Sequence, residues 1–160
     1  MSRRRIPHVT LAAACCGLAA CAGDAPALHC TPPPSPTPPS AVAGPLTAAA
    51  DHGLLAPGTM LKVSVDASGP LTYQAPCSSP LTLLVVDSAD IHVDSVAPVA
   101  PKGTPCGAVS LTAGQTAHYE VLWTADPTLP TGRYRVVATL GDQAPIALAF
   151  QLGLASLTCG

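Results

Sequence analysis

Between residues 54 and 157, apolar and polar residues alternate in short runs separated by proline- and glycine-rich turns. A period of two puts every other side chain on the same face of a strand, so each run predicts a half-buried β-strand. The clearest runs begin at Leu61, Leu71, Leu81, Ala117, Tyr134 and Ile146, and shorter candidates lie at residues 91–93 and 108–112. None of these runs has the 3.6-residue period of an amphipathic helix.

Seven to eight strands within about a hundred residues predict an all-β fold, namely an antiparallel β-sandwich. A closed barrel is the alternative. Together with the segments that precede the strands, the pattern divides the chain into three parts. Residues 1–20 form an export signal, residues 21–53 a tether, and residues 54–160 the β-sandwich domain.

The N-terminus has the pattern of an export signal. Three arginines (Arg3, Arg4 and Arg5) precede an apolar stretch over residues 9–20, which is too short to span a bilayer as a helix. The stretch ends in Leu18-Ala19-Ala20-Cys21, which resembles the lipobox of bacterial lipoproteins. The resemblance implies cleavage before Cys21 and acylation of that cysteine.

Three points about this signal remain open: the acylated cysteine, the export route and the destination membrane. Cys15 follows a weaker lipobox-like run, and residues 2–6 are similar to the twin-arginine export pattern, which leaves the export route undecided. Ala22, rather than an aspartate, follows Cys21. By resemblance to lipoprotein sorting, this favours the outer membrane in an organism with two membranes. In an organism with one membrane, the outer face of the cytoplasmic membrane is expected.

Without residues 1–20, four basic residues (Lys62, Lys102, Arg133 and Arg135) stand against nine acidic ones, a formal net charge of −5. Because no basic patch is available, nucleic-acid binding is not expected. The acyl chains are therefore the expected membrane attachment. An envelope protein or ligand of unknown identity is the expected partner.

The segment over residues 32–45 contains seven prolines interleaved with serine, threonine and alanine. Such a sequence favours extended polyproline II, which spans about 3.1 Å per residue. We interpret it as a spacer that holds the domain up to about 40 Å from its anchor. A docking ligand for a proline-motif reader is the alternative.

Four cysteines remain once Cys21 is acylated and the signal is removed: Cys30, Cys77, Cys106 and Cys159. An even number in an exported domain predicts disulfides. Three connectivities are possible, and we favour Cys77 with Cys106, because both lie in turns that flank residues 81–93. Cys30 and Cys159 then form the second pair. Zinc binding is not expected, since no two of the four have chelating spacing.

Residues 111–115, Tyr119, Trp123 and residues 129–136 are similar to the C-terminal half of BsuPI-type domains, a family named for an intracellular proteinase inhibitor. The resemblance covers roughly residues 61–140. It implies an immunoglobulin-like sandwich in which Gly114 and Gly132 form turns and Trp123 and Tyr134 fill the core. It also implies peptidase inhibition as a candidate function.

The sequence contains no nucleophile elbow, metalloprotease motif or phosphate loop, so we expect neither catalysis nor a cofactor. Glu120 near His118 and Arg135 predicts a solvated cross-strand ion pair. Asp90, His92 and Asp94 would share one face of a strand. This arrangement fits either a weak divalent-cation site or the polar protection of an edge strand.

The loop over residues 96–105 is the candidate binding surface, with Val96, Val99 and Lys102 as its contact residues. Its prolines pre-order the backbone, which lowers the entropy lost on binding. A plain solvent loop is the alternative. We therefore expect a lipid-anchored extracytoplasmic binding or structural module without catalysis. A peptidase inhibitor and a weak metal-binding envelope protein are the alternatives.

Overall fold

The structure is a computed structural model that describes residues 30–31, 36–99, 102–154 and 158–159. The predicted signal and Cys21 lie outside these residues. The strands are β1 (Cys30–Thr31), β2 (Ser40–Ala43), β3 (Leu46–Ala50), β4 (Leu54–Leu55), β5 (Met60–Ser68), β6 (Leu71–Ala75), β7 (Leu81–Asp87), β8 (His92–Val96), β9 (Gly107–Leu111), β10 (Thr116–Thr124), β11 (Gly132–Leu140), β12 (Ile146–Leu152) and β13 (Thr158–Cys159). No helix in the described ranges is long and apolar enough to cross a membrane.

Two sheets form the sandwich. The four-stranded sheet has the order β10-β5-β3-β2, and the five-stranded sheet has the order β4-β12-β11-β7-β8. All neighbours are antiparallel except β4 and β12, which run parallel. Two further pairs, β6 with β9 and β1 with β13, lie outside these sheets. The predicted all-β antiparallel sandwich is confirmed.

The strand order is that of an immunoglobulin-like sandwich. β5 pairs with β10 in one sheet, while β7, β11 and β12 are neighbours in the other, as the B–E and C–F–G strands are in immunoglobulin domains. After β3 the chain crosses to the five-stranded sheet, where β4 pairs with β12. The segment that contains β3 and β4 therefore contributes a strand to each sheet on the same side of the sandwich. The seven or eight strands predicted correspond to β5–β12.

The sandwich begins before residue 54. β2 and β3 form a hairpin on the four-stranded sheet, within the segment that the sequence analysis assigned to the tether. In β3 the side chains of Leu46, Ala48 and Ala50 are buried, which is the alternation of a core strand. The pattern is hard to recognise because alanine is a weak strand former and prolines surround the hairpin. Only the part of the tether before this hairpin remains a candidate spacer.

The core depends on a small number of aromatic side chains. One tryptophan, three tyrosines and one phenylalanine are present, and all are buried. Trp123 of β10 lies edge-on to Phe150 of β12, with ring centroids 5.6 Å apart, so this contact joins the two sheets. Tyr134 of β11 stacks on the same Phe150 ring at 5.8 Å. The three rings fill the space between the sheets around a core of valine, leucine and alanine.

Tyr134 also fixes the turn before its strand. Its hydroxyl donates a hydrogen bond of 2.7 Å to the carbonyl of Pro130, four residues earlier. This arrangement matches the tyrosine corner of immunoglobulin-like sandwiches. Tyr134 therefore fills the core and also fixes the turn before β11.

A disulfide joins Cys77, after β6, to Cys106, immediately before β9, with Cα atoms 4.7 Å apart. The predicted pairing of these two cysteines is confirmed. In the chain-entropy model, closing a loop of this length stabilises the fold by about 3–4 kcal/mol. The backbone of Cys30 lies opposite that of Cys159 in the β1–β13 pair. Their side chains are outside the described part, so that disulfide stays a prediction.

A second contact between the sheets is polar. The Trp123 indole Nε1 donates a hydrogen bond of 2.7 Å to Asp94 Oδ2 on β8. We expect Asp94→Ala to lower the free energy of unfolding by about 1–3 kcal/mol, because it leaves a buried N–H without an acceptor. Asp94→Asn keeps an acceptor oxygen and is expected to lose less than half as much. Urea denaturation of the purified variants measures both, and an Asp94→Ala variant as stable as the parent would contradict the expectation.

Candidate functional site

The long free edge of the four-stranded sheet is β10. Among the described residues it has a neighbour, β5, on one side only, and the pairing runs without irregularity over all nine residues. The other sheet edges are shorter: β2 has four residues, β4 two, and β8 five with a shifted register opposite Val85 and Val86. Short or irregular edges resist the addition of another strand, whereas a long regular edge favours it.

The hydrogen bonds at the two ends of β10 show which backbone groups face outward. The Gly69 N–H donates to the carbonyl of Gln115, and the Ala125 N–H donates to the carbonyl of Thr59. In an antiparallel pair, bonded residues alternate with residues whose N–H and C=O point away. Because the bonded positions are odd-numbered, the backbone groups of His118, Glu120 and Leu122 point away from β5, toward the open edge.

A cleft of about 540 Å³ lies along this edge. One wall is β10 from His118 to Leu122. The rest of the lining comes from the start of β7 and the connection between β8 and β9, with Pro80, Leu81, Pro98, Val99 and Thr104 contributing. The volume is in the range of ligand-binding clefts, and the lining is mainly apolar. The cleft therefore combines an apolar surface with a row of outward backbone donors and acceptors.

A charge cluster covers the outer face of the sheet beside this edge. His118 Nδ1 lies 2.6 Å from Asp66 Oδ1, and His118 Nε2 lies 3.3 Å from Glu120 Oε1. Glu120 Oε1 in turn lies 3.3 Å from Lys62 Nζ. These side chains meet because β5 and β10 pair with His118 opposite Asp66 and Glu120 opposite Ser64. The predicted pairing of Glu120 with His118 is confirmed. Arg135 lies on the other sheet and instead forms an ion pair with Asp90.

The cluster shifts the titration of its members. The hydrogen bond to Asp66, followed by that to Glu120, raises the pKa of His118 above its usual value. The hydrogen bond to His118, followed by that to Lys62, lowers the pKa of Glu120. All four side chains are about half exposed, so the cluster is a solvated surface network. Deeper in the structure, burial and then the hydrogen bond to Tyr119 raise the pKa of Tyr73.

The structure separates the three residues of the predicted binding loop. Val96 is the last residue of β8 and packs against the core, so it is not part of a loop. Val99 is 88% exposed and lines the cleft. Lys102 is exposed in a turn but is not part of the cleft lining. Residues 100–101 of this predicted loop lie outside the described residues.

Asp90, His92 and Asp94 do not form one face. β8 begins only at His92, so Asp90 lies in the preceding turn, where its φ is 63°. Its carboxylate pairs with Arg135, while the Asp94 carboxylate accepts from Trp123. In the described segments no group of three or more metal-ligating side chains is placed to hold an ion. The weak metal site predicted from the i, i+2, i+4 spacing therefore loses its basis. β8 lies at the edge of its sheet, which agrees with the alternative that these polar side chains protect an edge strand.

Sequence reasoning missed the cleft, and it missed Asp66 and Lys62 as members of the charge cluster. The one sequence signal for the cluster is that its charged residues lie at even positions in two runs, both predicted as strands. This signal predicts that the side chains meet only when β5 is known to pair with β10. No local sequence signal marks the free edge of β10, because this edge is free only when β9 pairs with β6 instead of β10.

No family model matches the sequence, and no curated protein matches it. Nine chains of known structure match. One of them is described as the crystal structure of the C-terminal domain of Wzt. It is 11% identical and the match covers 78% of this chain and 83% of that chain, with a TM-score of 0.45. This is a distant likeness of β-rich folds.

The charge cluster predicts a pH dependence of stability. A pKa raised by folding means that His118 contributes stability below its usual value of 6.5, and that this contribution is lost as pH rises through the folded value. We therefore expect the parent chain to be more stable than His118→Gln near pH 5.5, with the difference disappearing near pH 8.5. Urea midpoints at the two pH values measure this. A difference that stays constant or grows with pH would contradict the assignment of this shift to Asp66 and Glu120.

Proposed function

We propose that this chain is a lipid-anchored extracytoplasmic module that binds a partner in the cell envelope and performs no catalysis. In this proposal the acyl chains on Cys21 attach it to the membrane. The proline-rich segment before β2 separates the anchor from the domain. The immunoglobulin-like sandwich presents the β10 cleft for binding.

The observation that carries this proposal is the Cys77–Cys106 disulfide. Structural disulfides persist in oxidising compartments outside the cytoplasm and are rare inside it. The disulfide therefore supports export independently of the N-terminal signal, because it lies in the folded domain. The lipobox-like residues 18–21 then supply the attachment.

The cleft supports binding rather than chemistry. Its acidic and basic lining residues are His118 and Glu120, and both belong to the exposed network with Asp66 and Lys62. A general acid or base usually has a pKa tuned by burial, and half-exposed residues in an ion-pair network lack that environment. An apolar cleft next to a regular strand edge is instead suited to contact with another molecule.

Peptidase inhibition is the second candidate, and the exposure of Val99 favours it. Val99 is 88% exposed, it follows Pro98, and the connection that carries both is pinned to β6 at Cys106. A stiff apolar tip is the kind of feature that enters a protease cleft. A panel of envelope peptidases assayed with the parent chain and with Val99→Asp tests this candidate. Inhibition that the variant retains would exclude this tip.

The anchor is tested by two matched variants. We expect the parent chain and Cys15→Ser to partition into detergent as acylated proteins, since Cys15 lies within the removed signal. Cys21→Ser is expected to remain uncleaved or to appear as a soluble product, because it has no thiol for acylation. Mass spectrometry of the mature N-terminus gives the site directly.

Either of two results would contradict the proposal. If Cys15→Ser alone becomes soluble, the first cysteine is the acceptor and the mature start is wrong. If neither substitution changes partitioning and no acyl group is found, the chain is not lipid-anchored. A free thiol at Cys77 or Cys106 in the exported protein would remove the observation on which the compartment assignment depends.

A further inference from the structure

We propose that the free edge of β10 accepts an extended segment of a partner polypeptide as an added antiparallel strand, and that this segment alternates basic and apolar residues. The inference rests on the proposed binding role and specifies its partner. The site is β10 from His118 to Leu122 together with the cleft beside it.

Among the described residues, the fold leaves the position next to β10 open. In immunoglobulin constant domains the strand before E lies beside E at the edge of its sheet. The strand before β10 in this chain is β9, which pairs with β6 through Leu71 to Ala75 instead. The Cys77–Cys106 disulfide lies at the end of the β6–β9 pair and fixes β9 to it. The position next to β10 is therefore not taken by β9.

The connection between β8 and β9 is also poorly suited to pair with β10. Pro98 and Pro105 have no backbone N–H, so this connection is a poor source of a regular ladder. In the structure Pro98 and Val99 line the far side of the cleft rather than filling it. About 540 Å³ remains between them and β10.

The open edge of β10 presents regularly spaced backbone donors and acceptors. His118, Glu120 and Leu122 each direct one N–H and one C=O outward, at the spacing of alternate residues in a strand. A polypeptide in the extended conformation presents complementary groups at the same spacing, which is the basis of recognition by strand addition. Pairing with these three residues requires a segment of about six residues.

The two faces of β10 determine which side chains the partner segment would have. Residues directly opposite one another in an antiparallel pair lie on the same face. The partner residues opposite His118 and Glu120 would therefore lie beside a cluster with two carboxylates (Asp66 and Glu120) and one permanent cation (Lys62). When His118 is neutral, the two carboxylates outnumber the one cation, and this excess of negative charge favours lysine or arginine. The intervening partner residues face Leu81, Tyr119 and Val121, which favour apolar side chains.

The test uses the full chain, isotopically labelled and kept in detergent solution, with a synthetic peptide of alternating lysine and valine as the probe. We expect saturable shifts of the backbone amide signals of His118, Glu120 and Leu122. A peptide with the same side chains but N-methylated at the residues that face β10 is expected to bind at least about tenfold more weakly, because it lacks the donors. A peptide with glutamate in place of lysine is also expected to bind more weakly.

Protein variants separate the charge contribution from general effects. Glu120→Gln is expected to weaken binding of the lysine peptide, while it leaves binding of the glutamate peptide unchanged or improved. Asp142→Asn is the matched control, because its carboxylate accepts from the Gln74 N–H and is not part of the cleft lining. It is expected to bind both peptides like the parent.

Three results would overturn the proposal. The first is a lack of shifts at these amides with millimolar lysine–valine peptide. The second is equal binding of the N-methylated peptide. The third is a set of shifts at the same amides that depends on protein concentration without peptide, which would assign the edge to a second copy of this chain. None of these results depends on acylation of Cys21, so failure here is distinguishable from failure of the proposed anchor.

Discussion

Trp123 is the contact on which the spacing of the two sheets depends. Its side chain is 1% exposed, its ring lies edge-on to Phe150 of the facing sheet, and its indole N–H is bound by Asp94 on β8. One residue of β10 is thus held to two strands of the opposite sheet, by an aromatic contact and by a hydrogen bond. Tyr134 stacks on the same Phe150 ring and fixes the turn before β11 through its bond to Pro130.

This arrangement holds β10 firmly on its inner side, while no strand among the described residues pairs with its outer edge. On the opposite side of the sandwich, β2 is the edge of the four-stranded sheet and β4 is the edge of the five-stranded sheet, where it pairs with β12. At β10 no strand of the described ranges takes the corresponding position, because β9 pairs with β6. The Cys77–Cys106 disulfide lies at the end of this β6–β9 pair. The disulfide that stabilises the domain therefore also supports the pairing that leaves the β10 edge uncovered.

The strands from β5 to β12 could be predicted from sequence, because residues such as Leu61, Val63 and Val65 alternate strictly with polar neighbours. The β2–β3 hairpin could not, since its alanines give little contrast and the prolines nearby suggest a linker. Asp90 was predicted on the same strand face as His92 because it lies two residues before it. This spacing does not distinguish a turn residue from a strand residue, and only the backbone shows the left-handed φ of 63° at Asp90. The charge cluster and the cleft depend on which strands pair, which alternation within single strands does not specify.

Native-state hydrogen exchange of the chain without any ligand tests most directly whether β10 is bound on one edge and open on the other. The amides of Tyr119 and Val121, which face β5, are expected to be protected. The amides of His118, Glu120 and Leu122 are expected to exchange at least about a hundredfold faster, because no strand of the described residues covers them. Equal protection at odd and even positions along β10 would contradict this expectation, since another segment would then have to occupy the edge.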